Sequence, residues 1–374
     1  MKRLPLFLKL ARNAARYRRS KLTGRPCPVE AISLEITRRC IGRCVMCNIW
    51  KDKVPAQDLP LGTWLNLLRS PALRALREID ITGGEPFLRQ DLDTLLNAIA
   101  DGKSATFPHL RTVAITTNGF LTRRVIRMVG DMARTLQGRD IELVLAVAMD
   151  GVGEAHERVR GVKGVWPKLE STLDGLVNLR SEFPHLVIGI KMTILPTNID
   201  ELEPVTQYAE ARGLFTIVSP CILTKVRYGN MDRSADLQFR EQDLEKLRAF
   251  YSRSTSGWSY HRKVLLDYLM TGTVHKPCTA GFNYFFVRST GNVYPCPLTD
   301  HPIGNITKKP LEDWIRSPRA TLFRKSIGTY EECRVCTEPG LERYALPFEG
   351  STYAGILLRM TKKEGDELHR HLGL

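Results

Sequence analysis

The sequence predicts an α/β chain: a partial, TIM-like (β/α)6 barrel followed by a small cysteine-rich α+β domain. Three observations carry that expectation. Six strand-like runs alternate with helical patterns between residues 32 and 218, an alternation that builds a parallel sheet. The residues suited to chemistry fall just after those runs, where parallel barrels gather their active sites. From residue 278 onward the pattern changes to cysteines, turns and short apolar runs.

Residues 1–29 form a basic arm. It holds Lys2, Arg3, Lys9, Arg12, Arg16, Arg18, Arg19, Lys21 and Arg25 and no acid. Leu4, Phe7, Leu8, Ala11 and Ala15 recur at helical spacing and share one face. A basic amphipathic helix suits an anionic membrane surface, through residues 1–25. The alternatives are a solvated helix packed on the body of the protein and a frayed terminus.

Residues 30–221 form the barrel core. Its strands are expected at 32–37, 76–82, 111–117, 141–148, 186–194 and 214–218, with helices at 90–100, 122–136, 163–181 and 199–212. Strand count and order favour an open partial barrel over a doubly wound sheet. Residues 222–275, polar and helical in pattern, read as a connector. Residues 276–345 form the cysteine-rich domain, in which 285–295 reads as a hairpin turning at Ser289 to Asn292. Residues 346–374 form a tail. There is no internal repeat.

The strand ends are distinctive. Cys40, Cys44 and Cys47 follow the first strand, and Gly83-Gly84-Glu85-Pro86 the second. Asn118-Gly119 follows the third, Asp150-Gly151 the fourth, Pro196-Thr197-Asn198 the fifth and Ser219-Pro220 the sixth. A packed core needs no such glycine-rich, polar strand ends, so the coincidence favours one site.

Composition narrows the function. The 374 residues are 43% hydrophobic and 25% charged, as in folded soluble proteins. No apolar run is long enough to span a membrane, and no secretory leader is recognisable. The expected compartment is cytoplasmic, with the arm able to dock at a membrane. The formal charge is +15, nine of it in the arm. No stacking-aromatic motif accompanies that charge, so no nucleic-acid partner is expected.

There are nine cysteines. An odd number, in a reducing compartment, points to metal or redox chemistry rather than disulfides. One group is Cys40-x3-Cys44-x2-Cys47. A structural zinc site closes with four ligands; this loop offers three and no histidine. An iron–sulfur cubane held by three thiolates leaves one iron open to a chelate. The alternatives are a zinc site completed from elsewhere or unligated cysteines.

CIGRCVMC (40–47) resembles the CxxxCxxC loop of the radical S-adenosylmethionine (SAM) superfamily, and TGGEP (82–86) resembles its second motif. The resemblance covers about residues 30–220. It implies a [4Fe–4S] cluster on Cys40, Cys44 and Cys47 whose open iron chelates the amino and carboxylate groups of SAM. Reductive cleavage would then give a 5′-deoxyadenosyl radical that takes hydrogen from a substrate. By the same resemblance, Gly83, Gly84 and Glu85 would receive the SAM amino group, and Asn118 the ribose or methionine part. The stretch MDGVGEAHERVRG (149–161) is similar to the SLDG…HDRFRG segment of the SPASM-type branch, making Arg160 a partner for the SAM carboxylate. Met46 stands where the family has an aromatic residue near adenine, and the serine usual before the DG pair is replaced.

Cys278-x12-Gly291-x4-Cys296 is similar to the opening of a SPASM domain. Only Cys333-x2-Cys336 follows, which resembles the shorter twitch form with one auxiliary cluster. Cys278, Cys296, Cys333 and Cys336 would hold a second [4Fe–4S] cluster that relays electrons; zinc on the same thiolates is the alternative. Cys27 and Cys221 read as ordinary packing or surface thiols. Sulfatase-maturing enzymes carry an aspartate where this chain has Pro297, and the molybdenum-cofactor enzyme ends in Gly-Gly, so neither activity fits. The nearest pattern is the twitch dehydrogenase of aminoglycoside synthesis.

The expected function is hydrogen abstraction followed by oxidation or rearrangement. The substrate would be a peptide or protein, a sugar- or lipid-linked intermediate, or a small aminocyclitol-like alcohol. A flavodoxin or ferredoxin would donate electrons. No residue is assigned as the substrate's acid or base. The alternative is a non-catalytic cluster- or zinc-containing binding protein.

Overall fold

Six parallel strands of the computed structural model lie side by side in chain order: β1 (Ala31–Glu35), β2 (Glu78–Thr82), β3 (Thr112–Thr117), β4 (Glu142–Ala148), β5 (Leu186–Ile194) and β6 (Phe215–Pro220). The structure describes residues 3–51, 58–253, 259–348 and 355. The strand order never reverses, as it does in a doubly wound sheet, so the partial barrel is the observed architecture.

The helices are α1 (Arg3–Thr23), α2 (Leu61–Leu68), α3 (Leu92–Ala105), α4 (Thr122–Leu136), α5 (Glu154–Arg160), α6 (Trp166–Glu182), α7 (Leu202–Ala211), α8 (Ser234–Leu237), α9 (Glu241–Arg253), α10 (Ser259–Thr271), α11 (Leu311–Ile315), α12 (Pro318–Ser326), α13 (Glu331–Arg334) and α14 (Gly340–Ala345). The strands divide by parity. Ile32 and Leu34, Ile79 and Ile81, Val113 and Ile115, Leu143 and Leu145, and Ile188 and Ile190 enter one apolar core, together with Leu95, Val129 and Leu173 of the helices. The alternate positions, among them Ser33, Asp80, Lys191, Thr193 and Ser219, share the opposite face, because successive strand side chains point to opposite sides. Ser33 Oγ donates to Asp80 Oδ2 across β1 and β2 at 2.9 Å. Thr193 sits beside Ser219 in register. The polar face therefore surrounds the barrel interior.

The expected hairpin forms from β7 (Tyr284–Val287) and β8 (Asn292–Tyr294), with Gly291 at φ +85° in its turn. Its placement was not readable from the sequence. β7 pairs parallel with β1, and β9 (Gly304–Asn305) follows β8, so nine strands form one continuous sheet.

The N-terminal arm is a docked helix. Leu10, Tyr17 and Ser20 are its buried positions. Tyr17 packs edge-on to Phe282 with ring centroids 5.1 Å apart, and its hydroxyl donates to the Cys278 carbonyl at 2.7 Å. Phe7, Leu8, Ala11 and Ala15, the face picked out by spacing, are exposed; the Leu4 side chain lies outside the described residues. A tyrosine that brings both ring area and a hydrogen bond outweighs two alanines. Arg324 of α12 is fully buried and closes the helix end, its Nε donating to the Gly24 carbonyl at 2.6 Å and its Nη1 to the Gly281 carbonyl at 3.0 Å. Residues 349–354 and 356–374 of the expected tail lie outside the described residues. No described helix is long and apolar enough to cross a membrane.

Arg324→Ala should strand two buried carbonyls and lower unfolding free energy by about 3 kcal/mol. Chemical denaturation measures the loss, and limited proteolysis should cut first at α1.

Candidate functional site: a cysteine-lined cleft at the strand ends

The 40–47 loop leaves β1 and is held by backbone contacts on two sides. Arg43 and Val45 donate their N–H groups to the carbonyls of Arg160 and Val159, each at 2.9 Å. From the other side, Asn230 Nδ2 donates to the Met46 carbonyl at 2.9 Å and Arg233 Nη1 to the Val45 carbonyl at 2.6 Å. Gly161 ends α5 in the left-handed region at φ +66°, and a Cβ there would strike the Arg43 carbonyl. The glycine closing the 149–161 segment thus has a steric reason.

The two glycines of 82–86 have another. Gly84 donates to the Thr37 carbonyl and Glu85 to the Arg39 carbonyl, both at 2.8 Å. A Cβ on Gly83 or Gly84 would strike those same carbonyls. The end of β2 is thereby joined to the chain entering the cysteine loop. The Glu85 carboxylate turns away from the cleft and is fully buried. It accepts from Thr117 Oγ1 at 2.9 Å, Asn118 N–H at 2.7 Å and Phe87 N–H at 3.1 Å. Burial pushes this carboxyl up to about 7, against the pull of those donors. Glu85 braces β3, while the backbones of Gly83 and Gly84 face the cleft.

Asn118 Oδ1 accepts from Phe120 N–H at 3.0 Å, which fixes the amide's orientation; its Nδ2 is buried without a partner. Arg160 is buried rather than in a surface pair. It meets Asp150 Oδ2 at 2.7 Å and donates through Nη1 to Cys44 Sγ at 3.5 Å, leaving Nε unpartnered. Burial opposes its charge, but Asp150 and Cys44 more than compensate. His156 behind it is driven down to about 3 by burial and by Arg160, so it stays neutral and its Nδ1 accepts from Asp150 N–H at 3.2 Å. Asp150 was picked out only as a strand-end residue, with no partner, and His156 was not singled out, although both lie in the 149–161 segment.

The cysteine loop, Gly83, Gly84, Asn118 and Arg160 line one cleft of about 1250 Å³, counting the space open to solvent. Cys40, Cys44, Cys47 and Met46 form one side, and Gly83, Gly84 and Asn118 the next. Lys191, Thr193, Ser219 and Cys221 also line it, with Arg227 and Glu338. Cys221 is therefore no bystander in position. It packs with Cys47 and Met46, and burial pushes its thiol up to about 12. Glu338 comes from beyond the hairpin. Burial would raise its carboxyl, but Lys191 and Arg227 hold it below the usual carboxylate range. No local motif announces Lys191, Arg227 or Glu338.

Cys278, Cys296, Cys333 and Cys336 gather in the second core, beside Phe282, Phe323 and Phe348. Burial pushes Cys40 and Cys278 up to about 12 and Cys47 to about 11. A recurring device counters it. Leu298 N–H donates to Cys296 Sγ at 3.5 Å, and the backbone N–H groups of Gly42, Ile49 and Ala280, each two residues ahead, pull the Cys40, Cys47 and Cys278 thiols back down. Such bonds tune iron–sulfur clusters. Among the described residues, no three His, Cys, Asp or Glu side chains are drawn close enough to hold a single metal ion. An all-thiol donor set with N–H···S support nevertheless fits soft-metal clusters. The unpartnered donors on Asn118 and Arg160 fit a polar ligand beside the three-cysteine loop. Cys27 is a packing thiol, as expected, buried 3.5 Å from Ser20 Oγ.

The raised Glu85 carboxyl has a pH consequence. Between about pH 4.5 and 7 the folded state holds a proton that the unfolded state has lost, so stability falls as pH rises, by about 3 kcal/mol in all. Glu85→Gln should remove that slope, read as unfolding free energy against pH.

Residues 34–209 match the radical SAM superfamily, and residues 278–337 match the SPASM iron–sulfur cluster-binding domain. The chain is 24% identical over 325 residues to the sporulation killing factor maturation protein SkfB of Bacillus subtilis, covering 87% of this chain and 73% of that protein. It is 24% identical over 331 residues to the AdoMet-dependent heme synthase of Methanosarcina barkeri, covering 82% and 87%. Among solved structures, anSMEcpe with bound AdoMet superimposes with a TM-score of 0.60 at 15% identity, covering 92% of this chain and 99% of that one, a likeness of fold. Both domains occur in this one chain, in the order that the two cysteine groups foretold, and the chain belongs to the radical SAM superfamily with a SPASM-type auxiliary domain.

Proposed function

We propose that this enzyme holds a [4Fe–4S] cluster on Cys40, Cys44 and Cys47, binds SAM in the cleft beside it, and abstracts hydrogen from a substrate held toward Lys191, Arg227 and Glu338. The observation that carries the reading is the convergence of three thiols and two unpartnered donors on one cleft. When bound, cluster and SAM supply a 5′-deoxyadenosyl radical. The chain's own residues position the ligand. Gly83 and Gly84 offer backbone to the SAM amino group, Asn118 Nδ2 a hydrogen bond, Arg160 Nε a donor to the carboxylate, and Met46 an apolar surface for adenine.

Cys278, Cys296, Cys333 and Cys336 would hold the auxiliary [4Fe–4S] cluster, closed by four thiolates and suited to electron relay rather than substrate ligation. A flavodoxin or ferredoxin would supply electrons. The likeness to a maturation protein across most of the chain supports a peptide or protein substrate, ahead of a sugar- or lipid-linked one.

Anaerobic reconstitution should give about eight irons per chain, and the reduced protein should convert SAM to 5′-deoxyadenosine. Replacing Cys40, Cys44 and Cys47 together by alanine should abolish that conversion. Persistence of the product would refute the assignment, and four irons with one zinc would refute the auxiliary cluster.

The exposed side of α1 supports a docking role. Phe7, Leu8 and Leu22 are 47%, 64% and 83% exposed, beside the exposed Arg12, Arg18, Arg19 and Lys21. We propose that this side rests on anionic lipid. Changing these four bases to glutamate leaves the buried side of the helix untouched. It should abolish sedimentation with phosphatidylserine vesicles, and wild-type binding should weaken with salt.

A further inference from the structure

β6 presents a polar group to the cleft that the SAM reading does not use. Ser219 is buried to 7% exposure and lines the cleft wall. Behind it, His261 of α10 places Nε2 2.9 Å from Ser219 Oγ. His261 Nδ1 lies 3.0 and 3.1 Å from the two carboxylate oxygens of Glu342 on α14. Lys276 Nζ lies 3.0 Å from Glu342 Oε1 and donates to the Glu338 carbonyl at 2.6 Å. His261 is 5% exposed and Glu342 0%, so the row is shielded from water.

The order of groups fixes the hydrogens. An ionised carboxylate only accepts, so His261 Nδ1 carries the ring hydrogen. In the neutral ring Nε2 is then a lone pair, and it accepts the Ser219 O–H. The remaining lone pairs of Ser219 Oγ are left for whatever enters the cleft. This is the order of groups in which a histidine, oriented by a carboxylate, acts as general base toward a serine hydroxyl. A network meant only to tie β6, α10 and α14 together would not need its terminal hydroxyl on the cleft wall.

We propose that Ser219, with His261 behind it, accepts the proton that the substrate loses during oxidation. The substrate would then carry a hydroxyl, amine or thiol on the carbon from which hydrogen is taken. This rests on the function proposed above. The substrate's C–H bond gives a hydrogen atom to the 5′-deoxyadenosyl radical, forming 5′-deoxyadenosine. The adjacent X–H gives its proton to Ser219 Oγ, as Ser219 passes its own to His261 Nε2. One electron goes to the auxiliary cluster, which is reduced, and a C=X double bond forms. The new imidazolium faces Glu342, so its charge is met where it arises.

The same base would activate the serine itself, which gives a test free of SAM and substrate. Diisopropyl fluorophosphate is added to the reconstituted full-length protein, and labelling is followed by mass spectrometry. Phosphorus bonds to Ser219 Oγ, fluoride leaves, and the serine proton goes to His261. Label is expected on Ser219, forming about a hundredfold slower in His261→Gln. Glu342→Gln retains the imidazole and should slow labelling about tenfold, a second measure if His261→Gln fails to fold. Absence of label at Ser219, or equal rates in wild type and Glu342→Gln, would overturn the proposal. Because labelling needs neither iron nor SAM, its failure is distinct from failure of SAM cleavage.

Discussion

The carbonyls of Thr37, Arg39 and Arg43 lie where side chains would stand on Gly83, Gly84 and Gly161. Those three close approaches set the 40–47 loop between β2 on one side and the end of α5 on the other. The thiols are placed by backbone that cannot retreat, since the Thr37 and Arg39 carbonyls accept from Gly84 and Glu85 and the Arg43 N–H donates to Arg160. The placement of Arg160 follows, because the residue whose carbonyl receives Arg43 N–H is the one whose guanidinium reaches Cys44. The cleft inherits its shape from steric exclusion more than from any single polar contact.

Charge inside the barrel is arranged in opposed sets. Arg288 and Arg38 meet Glu35, Arg160 meets Asp150, and Lys191 and Arg227 act on Glu338. A buried charge without a partner is costly, and pairing offsets that cost only with good geometry. Opposed sets around an enclosed space leave fixed dipoles at low dielectric, where a polar ligand interacts more strongly than in water.

Much of the fold was legible because its signals are local. The parity of Ile79, Ile81, Val113 and Ile115 marks strands, and Gly291 marks the hairpin turn. The cysteine spacings mark the two cysteine groups and the order of the two domains that hold them. What was not legible depends on residues far apart in sequence. Nothing near 284 announces pairing with β1, and nothing near 342 announces His261. The apolar face of the arm was legible from spacing, but the side by which the helix docks was not, because Tyr17 finds Phe282 and Cys278 only in the folded chain. Cys221 looked solitary until β6 carried it beside Cys47. Glu85 shows the reverse case: the motif was legible, but the direction of its carboxylate was set by β3.

The β1–β7 ladder has one more consequence. Residues 31–34 pair in register with 284–287, so the two cysteine groups stand on a shared hydrogen-bonded sheet rather than on units joined by a tether. Units joined by a linker and a modest interface ordinarily move against each other. Here the separation between the two groups is a property of the sheet, as fixed as the spacing of its strands. Any electron passed between them would have to be timed by what enters the cleft, because the two ends of the route cannot swing apart.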